Sequence, residues 1–155
     1  MDERDLECYL KRRGIWHRFI SKPETVHTAD AAKVSGIALS RITKNLVSET
    51  DIGEHVLLIV PGNRKVDLPA AANALGVGNV ALIPFNKSQS VSGYTPGGTP
   101  SLGHKNEIRS VLDESLLSCE TVFCGGGSRD RLLELRPCDI VEFGGAFIAR
   151  ISKNP

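Results

Sequence analysis

Apolar residues recur along this chain with two periods, and each period predicts one kind of element. Helical spacing that ends at a cap predicts three helices. They are DLECYLKRRG, which stops at Gly14; ADAAKVSG, which follows the capping residue Thr28 and stops at Gly36; and LPAAANALG, between Asp67 and Gly76. The polar segment NKSQSVSG predicts about one turn of helix, and RPCDIVEFG predicts a short helix.

Strand-like runs occupy most of the remaining chain. They are WHRFI, ITKNLVS, HVLLIVP, RKVDL, VALIPF, EIRSVLD, ETVFCGG, RLLEL and AFIARIS, with a turn at Pro61-Gly62-Asn63 between the third and the fourth. These runs are interleaved irregularly with the short helices. The pattern therefore predicts an α+β fold with a mixed sheet, and not a regular doubly wound βαβ array.

Composition limits the class of protein. The chain has 155 residues, of which 41% are hydrophobic and 24% charged, so we expect one globular domain over 1–155. It has no run of 18 apolar residues and no charged-then-apolar leader, and we expect a cytoplasmic location without membrane contact. A formal net charge of +1 argues against a broad nucleic-acid coat, but not against a small basic patch.

Cysteine and histidine positions give no metal signature. The cysteines form no CxxC pair and the four histidines are scattered, so we expect neither a metal nor a cofactor. In a chain without an export signal the cysteines are expected to be reduced and mostly buried. They are Cys8, Cys119, Cys124 and Cys138.

One predicted strand carries a lysine in an unusual place. In RITKNLV, the alternation of a strand puts Lys44 on the same face as Ile42 and Leu46, which would normally point to the core. Two interpretations remain open. Lys44 is either a solvated lysine on an edge strand or a lysine in a partly desolvated pocket that binds an anion or a carbonyl.

Two glycine-rich segments and one acidic pair are further candidates. The stretch GYTPGGTPSLGHK, from Gly93 to Lys105, has four glycines and two prolines, and long loops of this kind in compact domains are often functional. GGGSRD at 125–130 looks like a phosphate cradle but lacks the lysine and the hydroxyl of a P-loop. The pair Asp113 and Glu114 in LDESLL is typical of a helix start.

Seven segments together carry a family resemblance. In chain order they are TADAAKVSGI, RITKNLV, LLIVPGNRKVDL, ALGVGNVALIPF, SGYTPGGTPSLGHK, LDESLL and FCGGGSRDRLLELRPCDIVE, and as a set they resemble the YbaK family of prolyl-tRNA editing domains over roughly residues 25 to 150. The resemblance implies a mixed, strongly curved β-sheet of about seven strands flanked by short helices. It also implies a hydrolase that removes cysteine or alanine from the proline tRNA. The partner it implies is the 3′ end of aminoacyl-tRNA, with prolyl-tRNA synthetase left open as a second partner.

The resemblance also assigns roles to individual residues. Lys44 matches the family's functional lysine, and the loop that begins at Gly97 matches its glycine-proline loop, so Lys44, Gly97 and Gly98 become the catalytic candidates. The family commonly has proline where this chain has Ser101, which puts the loop's fine specificity in doubt. The implied substrate-binding residues are Thr28, Asn45, Thr99, Pro100, Ser101 and His104.

The chemistry of ester hydrolysis suggests how such a loop would act. Backbone N–H groups can stabilise the tetrahedral oxyanion without any side chain, and Gly97 and Gly98 would allow positive φ and close approach to the ester. The attacking group would be water, or the substrate's own thiol. Lys44 would be a protonated anchor for a phosphate or ribose oxygen; a neutral general base is the alternative.

Further expectations concern the surroundings of the site and the rival functions. A local phosphate patch is predicted from Arg41, Arg64, Lys65, Lys105 and Arg109. The pocket wall is predicted from His27, Thr28, Val47, Val60 and Ala81. The rivals are a non-catalytic module that binds aminoacyl-tRNA or a nucleotide, and an unrelated hydrolase or phosphate-binding protein that uses GGGSRD.

Overall fold

Five α-helices and ten β-strands make up the protein, and the computed structural model describes residues 1–155. The helices are α1 (Glu3–Arg12), α2 (Thr28–Ser35), α3 (Leu68–Leu75), α4 (Phe85–Ser92) and α5 (Pro137–Glu142), with 3₁₀ turns at Leu39–Arg41 and Glu114–Ser118. The strands are β1 (Arg18–Ser21), β2 (Thr43–Thr50), β3 (His55–Pro61), β4 (Lys65–Val66), β5 (Val80–Leu82), β6 (Arg109–Asp113), β7 (Val122–Gly125), β8 (Arg131–Leu135), β9 (Phe147–Ala149) and β10 (Ser152–Lys153).

Local caps account for the helix ends. Asp67 accepts a hydrogen bond from the Ala70 N–H at 3.1 Å and so caps α3, which ends at Gly76 in the left-handed region with φ 71°. The prediction that Thr28 is an N-cap is wrong. His27 holds that position in an extended conformation, and Thr28 is the first residue of α2.

The strands form three sheets, so the prediction of one sheet of about seven strands is wrong. The largest sheet has the order β5-β2-β3-β6-β9. It is mixed, as predicted, because β3–β6 and β6–β9 are parallel pairs and β2–β3 and β2–β5 are antiparallel pairs. The order β1-β8-β7 forms the second sheet, and β4 pairs with β10 in the third.

Long-range contacts explain why the sheets divide. The predicted run AFIARIS splits into β9 and β10 because the buried carboxylate of Asp113 accepts hydrogen bonds from the Ile151 N–H and the Ser152 hydroxyl, both at 2.9 Å. This anchor directs β10 away from the large sheet and toward β4. Asp113 also caps the following 3₁₀ turn, which confirms the predicted helix start in LDESLL.

Strand β3 separates the two large parts of the core. Its successive side chains point to opposite faces, and Leu57 and Ile59 pack in a cluster with α1, β7 and β8. Val56 and Leu58 pack in a second cluster with α3. A smaller third cluster lies beneath α2, where an isolated bridge joins Ile42, the residue before β2, to Phe123 of β7. Its buried members are Ala31, Ile42, Phe123 and Leu132.

Candidate active site

A cavity of about 190 Å³ opens beside the third cluster, where β2 lies close to the glycine-proline loop. One wall is Ile42 with the first half of β2, through Val47. Another is the segment 25–28 that leads into α2, with Ala31 from the helix itself. Residues 82–88, at the start of α4, form the rim on a third side. Pro96, Gly97 and Thr99 of the loop, together with Lys22, Gly125 and Leu132, complete the lining.

Lys44 is one of the two lysines that line the cavity. Its Nζ donates a hydrogen bond to the carbonyl oxygen of Arg64, and no carboxylate lies within ion-pair distance of it. Burial lowers the pKa of Lys44 below its usual value. Because an ammonium group has three N–H donors, two remain for a ligand. Lys44 therefore lies in a partly desolvated pocket and not on a solvated edge.

The acceptor of Lys44 is itself held by the end of the chain. The Arg64 guanidinium donates to the Ser152 hydroxyl at 2.7 Å and to Asn154 Oδ1 at 3.2 Å. Ser152 in turn donates to the buried carboxylate of Asp113. The turn after β3 and the strand β10 thus fix the carbonyl that orients Lys44.

Position 97 requires glycine for two reasons. Its φ is 87°, in the left-handed region that side chains disfavour, and a Cβ there would lie 2.8 Å from Cα of Val26. Gly98 does not share the positive φ expected for it. It is required for a different reason, because a Cβ would lie 2.9 Å from the Ser128 N.

Two backbone amides of the loop remain unused. The Gly98 N–H donates to the Thr95 carbonyl at 2.9 Å, whereas the N–H groups of Gly97 and Thr99 have no acceptor within the protein. Gly97 and Thr99 both line the cavity, and Gly98 does not. The loop amides without an acceptor are therefore those of Gly97 and Thr99, and not the expected pair Gly97 and Gly98.

Asn45 ties strand β2 to the loop. Its Nδ2 donates to the Thr99 carbonyl at 3.2 Å and to the Thr43 hydroxyl at 3.0 Å. Its Oδ1 accepts from the hydroxyl of Ser101 at 2.7 Å. The amide of Asn45 is thus occupied by loop contacts, although the residue also lines the cavity.

The glycines of the GGGSRD segment support the loop, and the amides of two of them are not free to bind a phosphate. The Gly126 N–H donates to the Arg131 carbonyl and the Gly127 N–H to the Gly98 carbonyl, so neither amide is free for an anion. A Cβ on Gly125 would lie 2.4 Å from the carbonyl carbon of Gly98. These glycines let two backbones pack against each other.

The predicted site residues divide into two groups. Those that line the cavity are Thr28, Lys44, Asn45, Gly97 and Thr99. Those that lie behind the lining are Gly98, Pro100, Ser101 and His104. His104 Nε2–H donates to the Pro100 carbonyl at 2.7 Å, and burial lowers the pKa of this imidazole. The second group shapes the loop.

Two predictions about the surroundings of the site need correction. Among the expected wall residues, His27, Thr28 and Val47 line the cavity, but Val60 is buried in the second cluster and Ala81 is exposed outside it. The basic patch does not form at the cavity, which none of its predicted members lines. Their partners lie elsewhere: Arg41 contacts Thr121, Arg64 contacts Ser152 and Arg109 contacts Glu54.

Several lining residues carried no recognisable signal in the sequence. Lys22 donates to the Thr25 hydroxyl at 2.6 Å and to the Arg129 carbonyl at 2.5 Å, and its pKa is lowered mainly by burial. It fixes the segment that faces Gly97. The sequence predicts a strand over VALIPF that includes Phe85, but β5 ends at Leu82 and Phe85 begins α4. A proline before a polar run was the signal that could have located it.

No cysteine lines the cavity. Cys124 is buried in the core, and burial raises its pKa to about 11, so its thiol is protonated at neutral pH. The expectation that the cysteines are mostly buried is wrong, since Cys8 and Cys138 are exposed and Cys119 is half-buried. No three His, Cys, Asp or Glu side chains are grouped to hold a metal ion, and no helix is long and apolar enough to span a membrane.

Comparisons with known proteins place this site in a family. A protein of Enterococcus faecalis, provisionally named a Cys-tRNA(Pro)/Cys-tRNA(Cys) deacylase, is 26% identical over 136 residues, which are 88% of this chain and 83% of that protein. The Bacillus subtilis protein YwhH is 32% identical over 113 residues, covering 73% of this chain and 71% of its own.

Structural and family comparisons agree with the sequence relatives. The crystal structure of a provisionally assigned trans-editing enzyme for prolyl-tRNA synthetase superposes with a TM-score of 0.86 at 26% identity, covering 98% of this chain and 97% of that one. The model of the aminoacyl-tRNA editing domain matches residues 22–143, which include the whole cavity lining. The chain therefore belongs to the aminoacyl-tRNA editing domain family, a family of aminoacyl-tRNA deacylases.

Proposed function

We propose that this protein is a trans-editing deacylase that hydrolyses the ester of mischarged tRNA, with Cys-tRNA(Pro) or Ala-tRNA(Pro) as its substrate. The observation that carries the proposal is the arrangement at the cavity. Lys44 is a cation without a carboxylate partner, and it lines the same cavity as two loop residues, Gly97 and Thr99, whose amides have no acceptor. Such a set binds an oxygen-rich, partly negative ligand.

In this proposal the aminoacyl group enters the cavity and its ester carbonyl faces the glycine-proline loop. A water oxygen, or the thiol of a cysteinyl substrate, attacks the carbonyl carbon. The N–H groups of Gly97 and Thr99 stabilise the oxyanion that forms, and removing one such donor typically costs about 2.7–4 kcal/mol of transition-state stabilisation. The attacking water or thiol gives up its proton, the acyl C–O bond breaks, and the ribose oxygen takes up a proton and leaves as the hydroxyl. Attack by water releases the free amino acid, and attack by the thiol releases a cyclic thioester.

Lys44 has an anchoring role in this scheme. Its two unused N–H donors hold a ribose or phosphate oxygen of the terminal nucleotide and so place the ester against the loop. A protonated amine fits the surroundings, because the carbonyl oxygen that contacts it carries partial negative charge and favours the charged form. The role as a neutral base would require the amine to lose a proton at neutral pH.

The cavity also accounts for selection of small amino acids. Apolar side chains from β2, β8 and the third cluster, namely Ile42, Val47 and Leu132, line it. A synthetase pocket shaped for proline cannot strongly reject smaller residues, because one methylene is worth only about 1–3 kcal/mol. In this proposal the cavity of this protein, which differs in shape from the synthetase pocket, discriminates between proline and the smaller amino acids. The names of the Enterococcus relative and of the superposed trans-editing enzyme support the proline tRNA and its synthetase as partners.

The test is incubation of the protein with the proline tRNA charged in turn with alanine, cysteine, serine or proline. We expect loss of alanine or cysteine and retention of proline. The matched variant is Lys44→Met, which keeps the aliphatic stem and removes the charge. If no charged tRNA is hydrolysed while the wild type still binds it, the non-catalytic binding module becomes the better description.

A further inference from the structure

Phe85 is an exposed aromatic side chain at the rim of the cavity. It is 56% exposed although it is a large apolar residue, and it lines the cavity together with Leu82, which is 46% exposed. Across the rim stands the imidazole of His27, the N-cap residue of α2. The two ring centroids are 6.0 Å apart and the ring planes are inclined by 31°.

Packing of α4 does not explain this exposure. The helix buries Ser88, Val91 and Ser92 against the body of the protein. Phe85 precedes Ser88 by three residues and therefore lies on the same side of the helix, one turn nearer the cavity. Phe85 thus lies on the same face of α4 as the buried residues, but beyond the edge of the core, where its ring borders the open cavity.

We propose that Phe85 and His27 form a stacking platform for the adenine base of the 3′-terminal nucleotide. The inference rests on the proposed function, because an aminoacyl ester carries the terminal ribose and base on its alcohol side. When the acyl group occupies the cavity, that base is left at the rim. A purine offers a flat apolar face, and bases in single-stranded nucleic acid commonly stack on aromatic side chains.

The distribution of charge favours stacking over phosphate binding at the rim. Lys22 and Lys44 are the cations that line the cavity, and the three acceptors of the Lys22 amine are all protein oxygens. The predicted arginine patch points elsewhere. Contacts with the nucleotide at the rim must therefore come largely from flat or apolar faces, which Phe85, His27 and Leu82 provide.

The first experiment compares two substrates that share an amino acid. One is the aminoacyl-tRNA, and the other is the ethyl ester of the same amino acid, which lacks a nucleoside. In Phe85→Ala we expect the ratio of kcat/KM for the tRNA to kcat/KM for the ethyl ester to fall about tenfold, mainly through KM. Phe85→Trp should retain most of the ratio. The control is Phe143→Ala, which removes another exposed phenylalanine (38% exposed) outside the cavity and should leave the ratio unchanged.

The second experiment does not require turnover. Binding is measured for a short RNA that ends in CCA and for the same RNA with an abasic 3′-terminal nucleotide. We expect the wild type to prefer the intact RNA about tenfold and Phe85→Ala to lose that preference. Equal binding of the two RNAs by the wild type, or an unchanged ratio of kcat/KM values in Phe85→Ala, overturns the platform. Failure of the proposed function appears differently, as a wild type that discriminates between the RNAs but hydrolyses no aminoacyl-tRNA.

Discussion

The hydroxyl of Ser101 donates a hydrogen bond of 2.7 Å to Oδ1 of Asn45, and this bond joins the glycine-proline loop to β2 at the residue next to Lys44. Ser101 is fully buried. The proline that the family resemblance predicts at this position would restrict the loop through its own ring. In this protein the hydrogen bond from Ser101 to Asn45 restricts the conformation of the loop instead.

Ser101→Ala tests this connection. The change leaves the Asn45 Oδ1 without its donor, and we expect a loss of about 1–3 kcal/mol in the free energy of unfolding. Deacylation should slow through kcat, because the loop amides lose their fixed position. Urea unfolding and single-turnover rates measure the two effects. Ser110→Ala, at a buried serine of β6, is the control; an equal loss of activity there would show that any buried serine has this effect.

Gly97→Ala separates the two demands that the structure makes on Gly97. Any side chain at its positive φ costs roughly 1–2 kcal/mol, and the new methyl would also press against Val26. The matched control is Gly53→Ala, because Gly53 has φ 80° but nothing within 4 Å of a Cβ and no place in the cavity. We expect both variants to lose stability in thermal melts. Only Gly97→Ala should lose deacylation, by about 100-fold. Similar activity in the two variants would reduce the loop to a connector.

The sequence correctly predicted those features whose causes lie in neighbouring residues. The helix caps at Asp67 and Gly76 and the glycine with positive φ at Gly97 are set by a few neighbouring residues. Lys44 stood out because its strand face was otherwise apolar. Such features are readable from sequence because their physical cause lies within about one turn or strand.

Features that depend on distant partners could not be predicted in this way. The contact of Lys22 with the Arg129 carbonyl joins residues 107 positions apart, and the bridge between Ile42 and Phe123 joins the residue before β2 to strand β7. The role of Gly125 follows from its contact with Gly98, which the sequence GGGSRD does not reveal. The lining of the cavity is assembled by these long-range contacts.

Protonation of His104 should destabilise the folded protein in acid. Burial lowers the pKa of its imidazole from the usual 6.5, so the unfolded chain binds a proton at a higher pH than the folded protein does. The stabilising contribution of neutral His104 is complete above pH 6.5 and is lost as the pH falls from 6.5 through the folded pKa. Thermal melts between pH 7.5 and 5 should show this decline, and His104→Gln should reduce its slope. An identical slope in the variant would contradict the assignment.

Replacing Lys44 should raise the stability of the protein but lower its activity. Burial lowers its pKa below 10.5, so the unfolded chain binds more protons than the folded protein between the lowered pKa and 10.5. The penalty for burying the charge is full below the folded pKa and disappears as the pH rises to 10.5. Lys44→Met should therefore be more stable than the wild type at pH 7, and the difference between them should shrink as the pH rises through that window.

Deacylation by Lys44→Met should fall about 100-fold at the same time, since the ester loses its anchor. Lys44→Arg should keep measurable activity, because guanidinium retains the charge but differs in shape and hydration. Lys11→Met, at an exposed lysine of α1, is the control and should alter neither stability nor rate appreciably. Rates measured across pH distinguish the two roles of the amine. A protonated anchor loses activity as the pH rises through the lowered pKa of Lys44, whereas a neutral base gains it, and full activity in Lys44→Met would exclude both.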